Sequence, residues 1–204
     1  MPKRRYDPDT TREDILDAAE RLFAEHGFGD VPTSRIAREA GVSQSQIHYH
    51  FETKRKLWGA VFQRRFAEYF AVQSRMLDNA EMAGSERMRA SIEAYFGFFR
   101  ANPRFVKLLG RSRLDAIEEN NEWSMSAELM RRGAEVISES QKNGELRNDV
   151  PAEFILIGFL SLVAEWFLSR DQYLSKAGVT GDFEHVDDQY LDFILKVYLR
   201  GISR

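Results

Sequence analysis

Five prolines stand at positions 2, 8, 32, 103 and 151, and no stretch between them alternates apolar and polar residues as a half-buried strand does. Long proline-free segments whose apolar residues recur at three- and four-residue spacing fold as helices. The expectation is an all-α protein. With 204 residues and 43% apolar composition, the chain can bury a core as one large or two small domains. It has no cysteine, which excludes disulfides and thiolate metal sites and suits a reducing cytoplasm. The opening MPKRRYDPDT is basic but lacks the apolar segment of a signal peptide. The longest apolar run, FILIGFLSLVA at 154–164, is too short to span a bilayer. A soluble protein with no membrane partner is expected.

Residues 10–51 resolve into three helices. The first opens on a capping box of Thr10 and Glu13 and turns Ile15, Ala18, Ala19, Leu22 and Phe23 to one face, with Gly27 just past its end. The second covers roughly 34–40, with Ile36, Ala37 and Ala40 inward. Gly41 permits a sharp turn, Val42 plugs it, and Ser43 caps a third helix in a second box with Gln46. Two short helices joined by a turn of about three residues make a helix-turn-helix. On a wheel through the third helix, His50 and Phe51 lie near Ile47, while Ser45, His48 and Tyr49 point away and Gln46 flanks them. Gln44 and Ser45 sit at the helix N-terminus, the end that meets base edges in such motifs. Glutamine can pair adenine through two hydrogen bonds, and His and Tyr suit phosphate further along.

The net charge of −3 gives no general basic surplus, and residues 1–60 carry ten Lys/Arg against ten Asp/Glu. Affinity for nucleic acid must therefore come from charge placement. Thr53 caps a fourth helix, so Lys54, Arg55 and Lys56 fill its first turn. Exposed cations there oppose the helix dipole at a cost of roughly 0.3–1 kcal/mol each, and a bound phosphate reverses that sign. Lys3, Arg4 and Arg5 form a second basic cluster on an N-terminal arm.

The segments ILDAAERLFAEHGF, IAREAGVS and IHYHFETKRKLW resemble the tetracycline-repressor (TetR) family of bacterial transcription regulators, over about residues 10–60. The resemblance implies an N-terminal three-helix helix-turn-helix DNA-binding domain at 1–53 and a C-terminal helical ligand-binding and dimerisation domain at 54–204. It implies that Ser43, Gln44, Ser45, Gln46, His48, Tyr49 and His50 enter the major groove of double-stranded DNA. Tyr49, His50 and Lys54 take the phosphate-holding roles. The chain departs from the family pattern in having His48 for a usual Tyr, Arg55 and Lys56 for usual acids, and Pro32 where Ser or Thr caps helix two. Thr33 takes over that cap and stands with the DNA-binding residues, or the helix starts one residue later.

Helix four covers about 54–77, and further helices follow near 85–101, 103–119, 123–143, 151–172 and 187–202. Large apolar side chains crowd this region. Phe66, Phe70, Phe98, Phe99, Phe105, Trp123, Met130 and Trp166 suit either core packing or an apolar cavity for a small, at least partly apolar effector. Arg111 and Arg113 are available to an acidic group or to solvent. The helix from Phe154 is apolar on almost every side, and the last helix carries Tyr190, Phe193, Ile194, Val197 and Tyr198 as a stripe. In the family two such helices from each subunit form the homodimer. The whole reads as a ligand-responsive repressor on a palindromic operator, in the cytoplasm and associated with the bacterial nucleoid. The alternatives are a ligand-independent DNA-binding factor or an activator on the same fold. His48 and His50, two apart, point to different sides of a helix, and nothing in the sequence calls for an enzyme, a metal or a cofactor.

Overall fold

The computed structural model describes residues 7–79, 81–114, 124–179 and 183–203. The arm at Lys3–Arg5, Trp123 and the loop expected at 118–121 lie outside the described residues, as do the side chains of Arg113 and Met125. The described chain forms nine helices: α1 (Pro8–His26), α2 (Thr33–Ala40), α3 (Gln44–Phe51), α4 (Lys54–Leu77), α5 (Gly84–Ala101), α6 (Pro103–Leu114), α7 (Ser124–Lys142), α8 (Ala152–Lys176) and α9 (Phe183–Ile202). An isolated β-bridge joins Leu146 to Ser203. Two compact units emerge, one from residues up to Arg65 with Arg104 onward through α6, the other from Phe66–Pro103 with α7, α8 and α9. The helix α4 contributes to both.

In the first unit, α1 starts two residues before the expected box. Asp7 is its N-cap, its side chain accepting from Asp9 N–H at 3.2 Å, and Thr10 Oγ1 donates to Asp7 Oδ2 at 2.7 Å from inside the helix. Pro8 explains the shift, since the first helical position needs no N–H and the ring presets φ. Ile15, Leu16, Ala19, Leu22 and Phe23 of α1 are buried, as are Ile36 of α2 and Ile47 of α3. A relay of rings runs Phe23–Trp58–Phe62–Phe105 at centroid separations of 4.9, 5.2 and 5.6 Å. Glu20, only 2% exposed, receives Arg64 at 2.5 Å and Arg65 at 2.9 Å, which fastens α4 to α1. Arg64 also meets Asp17 and Glu13. Burial alone would lower its pKa, and these carboxylates raise it instead.

In the second unit, α5 packs on α7, α8 and α9. Phe96 and Phe99 meet Phe167 edge-on and tilted, and Tyr95 meets Phe159. Asp187 of α9 is buried and accepts from the Trp166 indole at 2.8 Å and from Arg170. The helix α8 has 25 residues and contains an 18-residue window of mean hydropathy 1.7, so by length and composition it could cross a membrane, although the run at 154–164 alone could not. Its Ile155, Phe159, Val163 and Phe167 are buried within this unit, as in a core helix. Its other side leaves Phe154 66% and Ile157 47% exposed, and α9 adds Phe193 at 50% and Val197 at 57%.

Candidate nucleic-acid interface and ligand cavity

The turn between α2 and α3 is set by Gly41, which adopts a left-handed conformation (φ 67°, ψ 29°) that disfavours a side chain. Gly41 N–H bonds to Arg38 O and Val42 N–H to Ala37 O, closing the end of α2. The helix α2 itself begins at Thr33 with Pro32 in the capping position and no side-chain cap. Thr33 is therefore not a cap. Its hydroxyl accepts from Gln44 Nε2 at 2.9 Å, linking the two helices.

The capping box at α3 forms as the spacing implied. Ser43 N–H donates to Gln46 Oε1 at 2.8 Å, and Gln46 N–H donates to Ser43 Oγ at 3.3 Å. Ser45 Oγ lies 2.9 Å from Ser43 Oγ. Ile47 and Phe51 anchor the helix, with the Arg12 guanidinium 5.3 Å from the Phe51 ring. The outer face offers Gln44, Ser45, His48 and Tyr49, the last 76% exposed. Gln46 is half-buried, and it can read a base only by leaving the cap. His48 Nδ1 lies 3.1 Å from Glu52 O, so the ring is held at the far end of the face. His50 is half-buried, and its Nε2 is shielded from solvent without a hydrogen-bond partner among the described residues.

At the start of α4, Thr53 Oγ1 accepts from Lys56 N–H at 3.1 Å, as a cap should, and Lys56 pairs with Glu52 at 2.7 Å. Lys54 Nζ donates to Gly29 O at 3.3 Å and lies 4.4 Å from the Phe28 ring. Its ammonium is thus held at the corner after α1.

The second unit encloses a cavity of about 110 Å³. Phe66, Tyr69, Gln73 and Leu77 line it from one face of α4. Gly84, Arg87, Met88, Ser91 and Tyr95 do so from α5. Met130, Gly133 and Ile137 of α7 and Leu156 and Phe159 of α8 complete most of the wall. A Cβ at Gly84 would lie 2.6 Å from Ser140 Cβ, so a side chain there would force the neighbouring helix to shift. Gln73 is buried and donates to Ser91 O at 2.9 Å. Burial, assisted by Tyr95, pushes the Tyr69 hydroxyl well above its ordinary pKa and keeps it a donor.

Of the apolar residues singled out from sequence, Phe66 and Met130 line this cavity. Phe98 packs on Tyr69, Phe99 on Phe167, Phe105 on Phe62 in the other unit, and Trp166 stacks on Tyr190 at 3.9 Å. Phe70 is half-buried on α4 outside the cavity wall. Arg111 donates to Glu25 O at 3.2 Å within the first unit. The polar residues of the cavity, Tyr69, Gln73, Arg87 and Ser91, escaped the sequence reading. Their signal was present: Gly84, Arg87, Ser91 and Tyr95 interrupt the apolar stripe of α5 at helical spacing.

The family model described as bacterial regulatory proteins, tetR family, matches residues 15–61. The chain is similar to the HTH-type transcriptional repressor NicS of Pseudomonas putida, at 25% identity over 96% of this chain and 94% of that one. It is also similar to the HTH-type transcriptional repressor AcnR of Corynebacterium glutamicum, at 29% identity over 80% and 82%. Among solved structures, a TetR family transcription regulator from Marinobacter aquaeolei superposes with a TM-score of 0.71, at 17% identity and 96% coverage of both chains. The regulator FadR from Bacillus subtilis in complex with stearoyl-CoA gives 0.67, at 16% identity over 90% of this chain and 96% of that one.

Proposed function

Because residues 15–61 match the family model of bacterial regulatory proteins, tetR family, we propose that the chain is such a regulator, a ligand-responsive repressor that binds a palindromic operator as a homodimer. The observation that carries the reading is the face of α3. It is exposed, polar and rigidly capped, and it stands over Ile47 and Phe51 with a lysine at its edge. In this reading two copies place α3 in successive major grooves, about 34–36 Å apart. Gln44 and Ser45 meet base edges at the helix N-terminus. His48, Tyr49, His50 and Lys54 meet phosphates, which contribute salt-dependent affinity. The apolar faces of α8 and α9 join the two copies. A small effector occupies the cavity and, through α4, favours a spacing of the two reading heads that the operator does not match. The same solvated, cysteine-free chain fits a cytoplasmic protein working on the nucleoid.

The test is selection of a duplex from random DNA, followed by affinity measurements over a range of salt. Gln44→Ala is expected to cost about 1–3 kcal/mol at its own base pair and to relax preference there. Lys54→Ala is expected to weaken all sites alike and to reduce the salt slope by about one. No enriched sequence at low salt would end the reading.

A further inference from the structure

Arg87 differs from the other half-buried arginines of its unit. Arg100 pairs with Asp188 at 2.7 Å, Arg132 with Asp78 at 2.5 Å, Arg147 with Asp149 at 2.5 Å, and Arg170 with Asp187. Arg87 has no carboxylate within ion-pairing distance among the described residues. Its Nη2 donates to Met82 O at 2.8 Å, while its Nε is shielded from solvent and without a partner. Glu145, which approaches the start of α5, is committed to the Gly84 N–H at 2.5 Å. A buried charged donor left unmatched is costly, and a charged acceptor placed beside it relieves that cost.

The cavity is small, and Arg87 is the one charged residue that lines it among the described residues. An apolar cavity of about 150 Å³ accommodates a benzene ring; this one measures about 110 Å³, so a ring enters only as its wall yields. Met88 and Met130 in its wall are unbranched and can adjust to a ring. On α5, Arg87, Ser91 and Tyr95 follow at four-residue steps along the same wall. One positive charge suits one negative charge, and a phosphate dianion would carry its second charge into apolar surroundings unpaired.

We propose that the cavity takes a compact monocarboxylate, a single ring or short branched chain, whose anion accepts from Arg87 while its body lies against Phe66, Met130, Leu156 and Phe159. The proposal rests on the repressor reading only for what binding does to DNA. Tyr69 supplies a second donor from α4, so the ligand touches the helix that continues into the first unit.

Calorimetric titration of the full chain with benzoate and with its neutral counterpart benzyl alcohol tests this. Benzoate is expected to bind at least about tenfold more tightly, the scale of one charge-assisted hydrogen bond. Arg87→Gln is expected to abolish the difference and Arg87→Lys to keep part of it. Equal binding of the two probes to the native chain, or binding of neither, overturns the assignment, and neither result depends on a variant folding. A preference for benzoate that survives in folded Arg87→Gln overturns it as well. Operator affinity measured on the same samples separates the two readings. Benzoate that binds through Arg87 but leaves the operator bound supports the site and defeats ligand-controlled repression. An operator released by neutral molecules with no carboxylate preference does the reverse.

Discussion

The two units treat buried charge and apolar surface in opposite ways. In the first, Glu20 is enclosed and met by both Arg64 and Arg65, and the relay from Phe23 to Phe105 closes its rings on one another. Among the described residues its one large exposed apolar side chain is Tyr49, on the surface assigned to DNA. In the second, Arg87 lines a cavity without a carboxylate, and Phe154, Ile157, Phe193 and Val197 stand in solvent. The first unit meets its buried carboxylate with two arginines, although His50 Nε2 and Arg64 Nε stay without hydrogen-bond partners among the described residues. The second is unfinished in two places, which a second copy and a ligand would complete. A protein that must read DNA rigidly and respond to a ligand benefits from that division, since packed cores transmit strain and open ones accept occupants.

The contrast can be broken at its open side first. Phe193→Glu combined with Val197→Glu places two carboxylates on the apolar face of α9. Sedimentation is expected to show single chains, and operator affinity is expected to fall about a hundredfold or more as two linked contacts become independent. A variant that stays dimeric would remove this face from the interface. The closed side comes next. Glu20→Ala leaves Arg64 and Arg65 without their shared buried carboxylate, and chemical denaturation is expected to show a loss of about 3 kcal/mol. Asp149→Ala, which breaks the exposed pair with Arg147, is expected to cost far less. Equal losses would mean that the units do not differ in this way. A finer probe is Ser43→Ala, which removes the α3 cap and is expected to cost about 1 kcal/mol. The smallest effect concerns Tyr198, whose hydroxyl donates to Ile155 O and is pushed up to about 12 by burial. An unfolded tyrosine titrates near about 10. With the folded value raised, the contribution is complete below the unfolded pKa and is lost as pH climbs toward 12. The denaturation midpoint of the native chain is expected to fall more steeply over that window than that of Tyr198→Phe.

Much of this was legible in the sequence where local chemistry decides. The box at Ser43 and Gln46, the left-handed glycine at position 41, the Thr53 cap and the 54–77 extent of α4 follow from residues a few positions apart. The start of α1 was missed because Thr10 and Glu13 satisfy a capping pattern, while Pro8 favoured an earlier start that Asp7 could cap. As a cap Thr33 would act within α2, whereas its hydroxyl bonds to Gln44, eleven residues on. The cavity was the least legible part. Ring count alone singled out Phe98, Phe99, Phe105 and Trp166, which pack on other rings. What distinguishes a wall from a core is the polar residue left inside it, and only assembly of four helices reveals that Arg87 has been left unpaired.

Arg65 and Phe66 are consecutive residues of one unbroken helix. The first holds Glu20 in the reading unit, and the second lines the cavity. If occupancy of the cavity and occupancy of the operator are coupled through that peptide bond, the coupling is one free energy shared by both. The factor by which a ligand loosens the operator is then the factor by which the operator loosens the ligand. The cell's supply of specific DNA would set the concentration at which the effector is sensed, so the same chain would respond at a lower dose when its sites are few.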